Sequence, residues 1–384
     1  MFLKIIEVYQ CDPTIDGQGG GVRYLQMLTQ ELRKRSEVTR VLFLGQGTIG
    51  KKNNNFEFIP VVAEKCNYVL FALKLFKFAL DRSLMKGSIV HVHRLYFGLP
   101  FALLRWWNGC QVVCTMHGRT FEVFKEKQGG LKLRVALMVF RLIEKTSIWL
   151  IDFLVPVSQD VVSSFENKYN NFENNNRQKL RILASMVDVS KFSSRQSIKK
   201  IKSFCFVGRL SYVKDIPFLI RLVKKHKLFF ESNAIQINIY GEGERKLELT
   251  EAINLDGVSH LLVLKGETDI DGVNHVFNES LATIICSRHE ASPTVAIESI
   301  ACGTPVISND IGDIKSLLAP GGLGLVVEKD PDSYLSAIKD VLDGYDFSIQ
   351  NANELINTRT SEFVTDQYIK IFSGLISAKS SSVN

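Results

Sequence analysis

The chain alternates between two hydrophobic periodicities. Short runs rich in β-branched and aromatic residues (FLKIIEVY, VLFL, FEFIPVV, SIVHVH, CQVVCT, FLVPV and RILA) are separated by longer stretches whose apolar residues recur at helical spacing. That is the pattern of parallel strands joined by crossover helices. It stops at the polar stretch DVSKFSSRQSIKKIKS, residues 188–203, and resumes with SFCFVG, AIQINIY, LLVLKG, LATIIC, PVIS and LGLVVE. The pattern predicts an α/β chain of two tandem doubly wound, Rossmann-like parallel-sheet domains, residues 1–195 and 196–360, followed by a C-terminal helix and frayed tail over 361–384. Ligands of such sheets bind beyond the carboxyl ends of the strands, so chemistry is expected in a cleft between the two domains.

A length of 384 residues suits two cores, and 46% apolar with 23% charged residues is a globular composition. Charge adds an asymmetry. Residues 1–200 hold 30 Lys and Arg against 16 Asp and Glu, and residues 201–384 hold 17 against 24. A basic first half suits an anionic partner: nucleic acid, a membrane surface or a phosphorylated substrate. No nucleic-acid recognition module is present, which argues against the first. The seven cysteines are odd in number and mostly lie in apolar runs, as expected in a reducing compartment. Cys110 and Cys114 lie on a strand-like alternation without a second ligand pair, so no metal site is expected there. The opening MFLKIIEVYQ enters strand alternation at once, and Lys74, Lys77, Arg141, Glu144, Lys145 and Asp152 interrupt the most apolar stretches. The expectation is a cytoplasmic protein whose membrane contact is limited to a surface.

Three constellations carry chemistry. The first is DGQGGGVRYLQMLTQEL, glycines that leave a strand and open a helix, where backbone can approach an anion closely. Its glycine spacing does not fit a dinucleotide fingerprint, and no acidic residue ends the second strand. The second is FVGRLSYVKDIPFLI, in which Arg209 and Lys214 flank a strand end and a helix start and could both reach one diphosphate. The third is HEASPTVAIESIACGTPVIS. Here Ser292 reads as an N-cap and Pro293 as the first helical residue, predicting a helix over 293–302 with Glu290 before the cap and Glu298 in the second turn. Carboxylates on either side of a helix N-terminus offer acceptors for sugar hydroxyls beside donors for phosphate, a combination suited to a nucleotide sugar.

These segments resemble a known family. EASPTVAIESIACGTPVISNDIGDI resembles the E-x7-E segment of the retaining glycosyltransferases of family 4 (glycosyl transferases group 1), which have the GT-B fold. FVGRLSYVKD resembles their diphosphate motif, and GGGVRYLQMLTQEL their N-terminal glycine loop. CTMHG, VPVSQDV, YGEGERKLEL, VLKGE and EFVTDQYIKIFSGL match weakly, in the family's order over nearly the whole chain. The resemblance implies that the first domain binds acceptor, the second binds donor, and the C-terminal helix returns to the first. It implies that Arg209 and Lys214 hold the donor diphosphate and stabilise the leaving group. Glu298 would accept from the ribose, and Glu290, with the backbone of Ala291, Ser292, Pro293 and Thr294, would hold the sugar. His117 would contact the sugar near the reacting carbon, and Gly19 and Gly20 would face the donor. Three departures stand out: Ala291-Ser292-Pro293 replaces the family's Gly-Phe-Gly, Asp215 replaces the glycine after the lysine, and Ser185-Met186-Val187-Asp188 stands for Asn-Gly-Val-Asp.

The expected activity is retaining transfer of a hexosyl group from a UDP- or GDP-sugar to a glycan or lipid-linked acceptor, in bacterial polysaccharide, lipopolysaccharide or capsule assembly. No cofactor and no metal are expected, since Asp269/Asp271 and Asp330/Asp332 sit at helix starts, where capping is their expected work. Two alternatives use the same fold: a non-catalytic sugar-nucleotide-binding subunit, and an epimerase or phosphorylase. An anionic inner-leaflet surface is a further candidate partner, because Lys74, Lys77, Arg82, Lys86, Lys132, Arg134 and Arg141 accompany apolar helices.

Overall fold

The structure is a computed structural model that describes residues 2–15, 20–64, 66–118 and 131–381, with the side chains of 131–133 and 380–381 also outside the description. Gly17, Gly19 and the Lys132 side chain therefore lie outside the described residues. The chain forms two units, Met1–Ala184 with Ser361–Asn384, and Ser185–Thr360.

The first unit is built on a seven-stranded sheet. Its strands are β1 (Leu3–Val8), β2 (Val38–Gln46), β3 (Lys51–Asn53), β4 (Phe56–Val62), β5 (Ser88–Val92), β6 (Gln111–Met116) and β7 (Phe153–Pro156), in the order β3-β4-β2-β1-β5-β6-β7. All pairs are parallel except the short β3–β4 hairpin. Ile5, Leu42, Phe43, Val90 and Val113 are fully buried, as strands covered on both faces require. RILA, residues 181–184, expected as a further strand, does not form one: Leu180 just before it makes an isolated bridge to Leu154, and the Arg181 and Leu183 N–H groups donate to the Leu154 and Pro156 carbonyls at 3.1 and 3.0 Å. Pro156 on the facing strand has no N–H with which to extend the ladder. The Ser361–Ser381 helix belongs to this unit, where Tyr368 Oη meets Tyr24 Oη at 2.9 Å and Asp366 pairs with Arg35 at 2.9 Å.

The second unit holds β8 (Ser203–Val207), β9 (Gln236–Tyr240), β10 (Leu262–Gly266), β11 (Ala282–Ile285), β12 (Val306–Asn309) and β13 (Gly324–Val327), all parallel, in the order β10-β9-β8-β11-β12-β13. The unit boundary falls at 184/185 rather than near 195. Polar composition alone marks 188–195 as a linker, but this segment is fastened down: Val187 and Phe192 are buried in the second core. Asn274 Nδ2 donates to the Lys191 carbonyl at 2.7 Å, Asn278 Nδ2 donates to the Ser193 carbonyl at 3.0 Å, and Asn278 Oδ1 accepts from the Arg195 N–H at 2.6 Å.

Both sheets reverse strand order in the middle, between β1 and β5 in one and between β8 and β11 in the other. Loops leaving adjacent strands there part in opposite directions and open a crevice, the place where doubly wound sheets hold ligands. The segments that follow β1, β5, β8 and β11 carry most of the candidate residues.

Candidate active site

In the second unit, the loops after β8 and β11 bring together residues far apart in sequence. After β8, Gly208 and the exposed Arg209 lead to a turn, Tyr212–Lys214, and then to the Ile216–Lys225 helix. The Lys214 side chain folds back along Gly208: a Cβ there would lie 3.4 Å from Lys214 Cε. After β11, Glu290 points its carboxylate at the same place. Lys214 Nζ donates to Glu290 Oε1 at 2.5 Å, and Ser287 Oγ donates to the same oxygen at 3.0 Å. The Arg288 N–H donates to the Val213 carbonyl at 2.7 Å, which ties the two loops by backbone as well.

Asp215 explains the missing glycine. Its φ is 50°, in the left-handed region where glycine is ordinarily favoured and Asp is among the better tolerated alternatives. The side chain that occupies this position is used: the buried Asp215 carboxylate pairs with Arg288 Nη2 at 2.9 Å and Lys329 Nζ at 2.8 Å. Arg288 also lies 4.2 Å from the Tyr212 ring centre and donates to its hydroxyl at 3.0 Å. The departure from the family pattern thus exchanges backbone freedom for an ionic clasp beneath Lys214.

Two further close approaches shape these loops. A Cβ on Gly241 would sit 2.0 Å from the Gly208 carbonyl oxygen, and one on Gly243 would sit 2.3 Å from that of Leu210, so the loop after β9 lies directly on the Gly208–Leu210 backbone. A Cβ on Gly312 would sit 2.9 Å from the Glu290 carbonyl oxygen, so the loop after β12 braces the Glu290 segment in the same way.

The helix after β11 runs Thr294–Ala301, one residue shorter at each end than its spacing predicts. Pro293 is its N-cap residue and provides no side-chain cap; the Ser292 hydroxyl, expected to cap, instead donates to Asp313 Oδ2 at 2.8 Å. Having no N–H, Pro293 cannot donate to a ligand, which leaves the backbones of Ala291, Ser292 and Thr294 as the donors of this segment. Glu298 stays in the second turn and is 3% exposed, so it is not a solvated helical acid. Asp269 and Asp330 do cap helices: Asp269 accepts from the Gly272 N–H at 2.8 Å, and Asp330 from those of Asp332 and Ser333 at 2.9 and 3.0 Å.

In the first unit, Gly20 opens the Gly20–Lys34 helix. His117, just past β6, is half-buried and rests on a polar chain that sequence reasoning did not find. Its Nε2 lies 2.8 Å from His93 Nδ1. His93 Nε2 lies 3.0 Å from Glu7 Oε2, and Glu7 Oε1 lies 3.0 Å from His91 Nδ1. The chain continues from His91 Nε2 to Thr115 Oγ1 at 2.7 Å, to Tyr368 Oη at 2.6 Å and to Tyr24 Oη at 2.9 Å. Glu7 and His91 are direct neighbours in the β1–β5 register and fully buried. The available signal was a charged residue in the apolar run KIIEV and a His-x-His in SIVHVH, each on a strand too apolar to be solvent-facing. A small pocket beside them is lined by His93, Arg94, Tyr96, His117, Gly118 and Glu144, among others.

Burial pushes the Glu7 carboxyl up, but His91 and His93 outweigh it and hold it down at about 2. Burial, with the neighbouring His91, lowers His93 to about 4 despite Glu7. Burial, then His93 and Arg94, hold His117 well below the usual imidazole range. A histidine whose pKa falls on folding binds its proton more readily when unfolded. Its contribution to stability is therefore present above the unfolded value of about 6.5 and is lost as pH falls towards 4. From His93 alone, the first unit should lose about 2 kcal/mol of stability between pH 7 and pH 5. Urea unfolding at the two pH values checks this; an unchanged midpoint would mean that His93 takes up its proton as readily in the folded protein as in the unfolded chain.

Residues 18–191 match the family described as Glycosyltransferase Family 4, and residues 189–358 match Glycosyl transferases group 1. An uncharacterized glycosyltransferase of Methanocaldococcus jannaschii is 31% identical over 147 residues, which span 38% of this chain and 37% of that relative's length. Among solved structures, a sucrose-phosphate synthase of Thermosynechococcus elongatus superposes with a TM-score of 0.79 at 16% identity, covering 98% of this chain and 100% of that one. The Anabaena protein HepE, in complex with UDP and glucose, superposes with a TM-score of 0.73 at 12% identity, covering 97% and 99%. At these identities the structural likeness is one of fold.

Proposed function

Because the chain belongs to the group 1 glycosyltransferases of family 4, with the GT-B fold, we propose that it moves a sugar from a nucleoside-diphosphate donor to an acceptor hydroxyl with retention of configuration. The observation that carries this reading is the convergence of Lys214 and Glu290, 2.5 Å apart, from loops on either side of the strand-order reversal, with Glu298 buried one turn into the next helix. Lys214 and Arg209 neutralise the diphosphate as it departs, and the Ala291, Ser292 and Thr294 backbones add uncharged donors. Glu290 exchanges its bond to Lys214 for sugar hydroxyls once donor binds, and Glu298 accepts from the ribose. His117 and Gly20 belong to the first unit, which takes the acceptor. A UDP-sugar is the favoured donor, because HepE, a protein of the same fold, is in complex with UDP and glucose.

With the negative charge of the leaving diphosphate met by side chains and backbone donors, a metal ion has no required role, and activity should persist in chelator. Thermal-shift screening of UDP-, GDP- and ADP-sugars identifies the donor; NMR of the product then gives the anomeric configuration. Retention with full activity in EDTA is the expected result, and inversion or strict manganese dependence would overturn the reading. Glu298→Gln should raise donor KM roughly tenfold and leave kcat within about twofold, since the ribose contact is made equally in ground and transition states.

The acceptor is a lipid-linked glycan or cell-surface polysaccharide presented at an anionic membrane. Among the described residues no helix is long and apolar enough to cross a membrane. The first unit nonetheless leaves Val69 and Leu73 exposed on the Tyr68–Ala79 helix, and Val135, Met138 and Leu142 on the Leu131–Leu150 helix. Exposed Lys74, Lys77, Arg134 and Arg141 lie on the same two helices. Apolar side chains beside cations suit the interface of an anionic leaflet. Co-sedimentation with phosphatidylglycerol vesicles should therefore be strong at low salt and weak at high salt; equal partition to neutral vesicles would argue against it.

A further inference from the structure

Geometry assigns the protons in the chain beneath His117. An ionised carboxylate only accepts, so the two 3.0 Å contacts of Glu7 are N–H bonds donated by His91 Nδ1 and His93 Nε2. A neutral imidazole carries a single N–H. With the His93 hydrogen committed to Glu7, His93 Nδ1 is an acceptor, and the hydrogen in its 2.8 Å contact with His117 belongs to His117 Nε2. We propose that Glu7 and His93 are positioning residues that lock His117 as the Nε2–H tautomer, so that its Nδ1 meets a substrate hydroxyl as a hydrogen-bond acceptor.

The surroundings agree. His93 and His117 are both neutral at pH 7, held there chiefly by burial, which the assignment requires. Stacking fixes the ring orientation: His93 and His117 lie 5.1 Å apart at 20°, while Tyr24 meets His117 edge-on at 4.9 Å. Arg94, the charged neighbour of His117 in the pocket lining, would oppose a second proton on the ring. Glu7, His91 and His93 also bring ligand-type atoms within 4.8 Å of one another. Each ring faces a different oxygen of the carboxylate, an arrangement of two N–H···O bonds rather than of three ligands converging on one point.

In functional terms, a hydroxyl that donates to His117 Nδ1 is held with its oxygen lone pairs turned outwards. A hydroxyl that must accept from the ring finds no hydrogen there. This half of the inference rests on the glycosyl-transfer reading; the proton assignment does not.

The test uses the full-length protein with 15N-labelled histidine. Two-bond proton–nitrogen correlations at pH 7 should show His117 with a pyrrole-type Nε2 and a pyridine-type Nδ1, assigned by loss of the signals in His117→Asn. The reverse tautomer, a doubly protonated His93 or His117, or a stoichiometric metal ion found by elemental analysis overturns the proposal. Glu7→Gln should give mixed His117 tautomers and a kcat lowered on the order of 10-fold or more, the scale known for the orienting partners of metal-bound histidines, with donor KM within about twofold. Wild-type tautomer and kcat in that variant would reduce Glu7 to a structural role, and if the variant does not fold the wild-type spectrum still decides. A protein with the assigned tautomer that transfers no sugar would overturn the transferase reading alone, and one that transfers sugar with the reverse tautomer would overturn this inference alone.

Discussion

Lys214→Ala should lower kcat/KM by about 10²- to 10³-fold, the loss of about 2.7–4 kcal/mol typical when one preorganised charge-stabilising donor is removed from a transition state. In the proposed role the effect should fall mainly on kcat, because the charge that such a lysine would meet grows as a diphosphate departs. Stability should fall by about 1–3 kcal/mol at most. The Lys214 and Glu290 side chains are only 22% and 17% exposed, but Glu290 keeps the Ser287 hydroxyl, and the clasp of Asp215 with Arg288 and Lys329 keeps the loop in place. Arg209→Ala should act in the same direction. Turnover within about twofold of the parent in Lys214→Ala would remove this lysine from the site.

Gly241→Ala should destabilise the second unit by about 2–4 kcal/mol and weaken donor binding at the same time. Its φ of +143° lies in a region closed to side chains, and the added Cβ would stand 2.0 Å from the Gly208 carbonyl oxygen. Backbone cannot yield as the tip of a side chain can, so the segment leading into Arg209 would be pushed off the sheet. Gly374→Ala is the control. This glycine lies in the Ser361–Ser381 helix with nothing within 4 Å of an added Cβ, and the change should stabilise by up to about 1 kcal/mol. Urea unfolding of both variants checks the pair; equal midpoints would mean that the loop after β9 does not brace the Arg209 segment.

Periodicity made the architecture legible because strands of a covered parallel sheet read as apolar runs, and all six strands of the second sheet announce themselves so, although the edge strands β10 and β13 are only partly buried. What periodicity missed was set by other forces. β3, Lys51–Asn53, is short, exposed and polar, and only its hairpin partner makes it a strand. The segment 188–195 reads as a linker since nothing in its own sequence reveals that Asn274 and Asn278 will hold its backbone. Ser292 reads as a cap, and only the fold places Asp313 within reach of its hydroxyl.

The candidate site shows the same division. Arg209, Lys214, Glu290 and Glu298 could be picked out because their spacing around strand ends is local. That Lys214 and Glu290 touch depends on a strand-order reversal between β8 and β11, which residue spacing does not encode. Asp215 stands in the sequence as a departure from the family's glycine, whereas its left-handed backbone and its two cations make it part of the support. Glu7, His91 and His93 were hidden for the opposite reason. Glu7 sits in β1, His91 in β5 and His93 just past its end, in runs that otherwise read as core, and only the alignment of these two neighbouring strands turns three isolated polar residues into a path to His117.

The central claim is that a nucleoside diphosphate is gripped by Lys214 in the second unit without a metal. Titration calorimetry of UDP, GDP and ADP in EDTA, against the parent and Lys214→Ala, tests it most directly. One of the three nucleotides should bind the parent and bind Lys214→Ala at least tenfold more weakly, in keeping with a lost charge-assisted contact of about 1.5–3 kcal/mol. Binding of none of them, or equal binding to both proteins, would contradict the account.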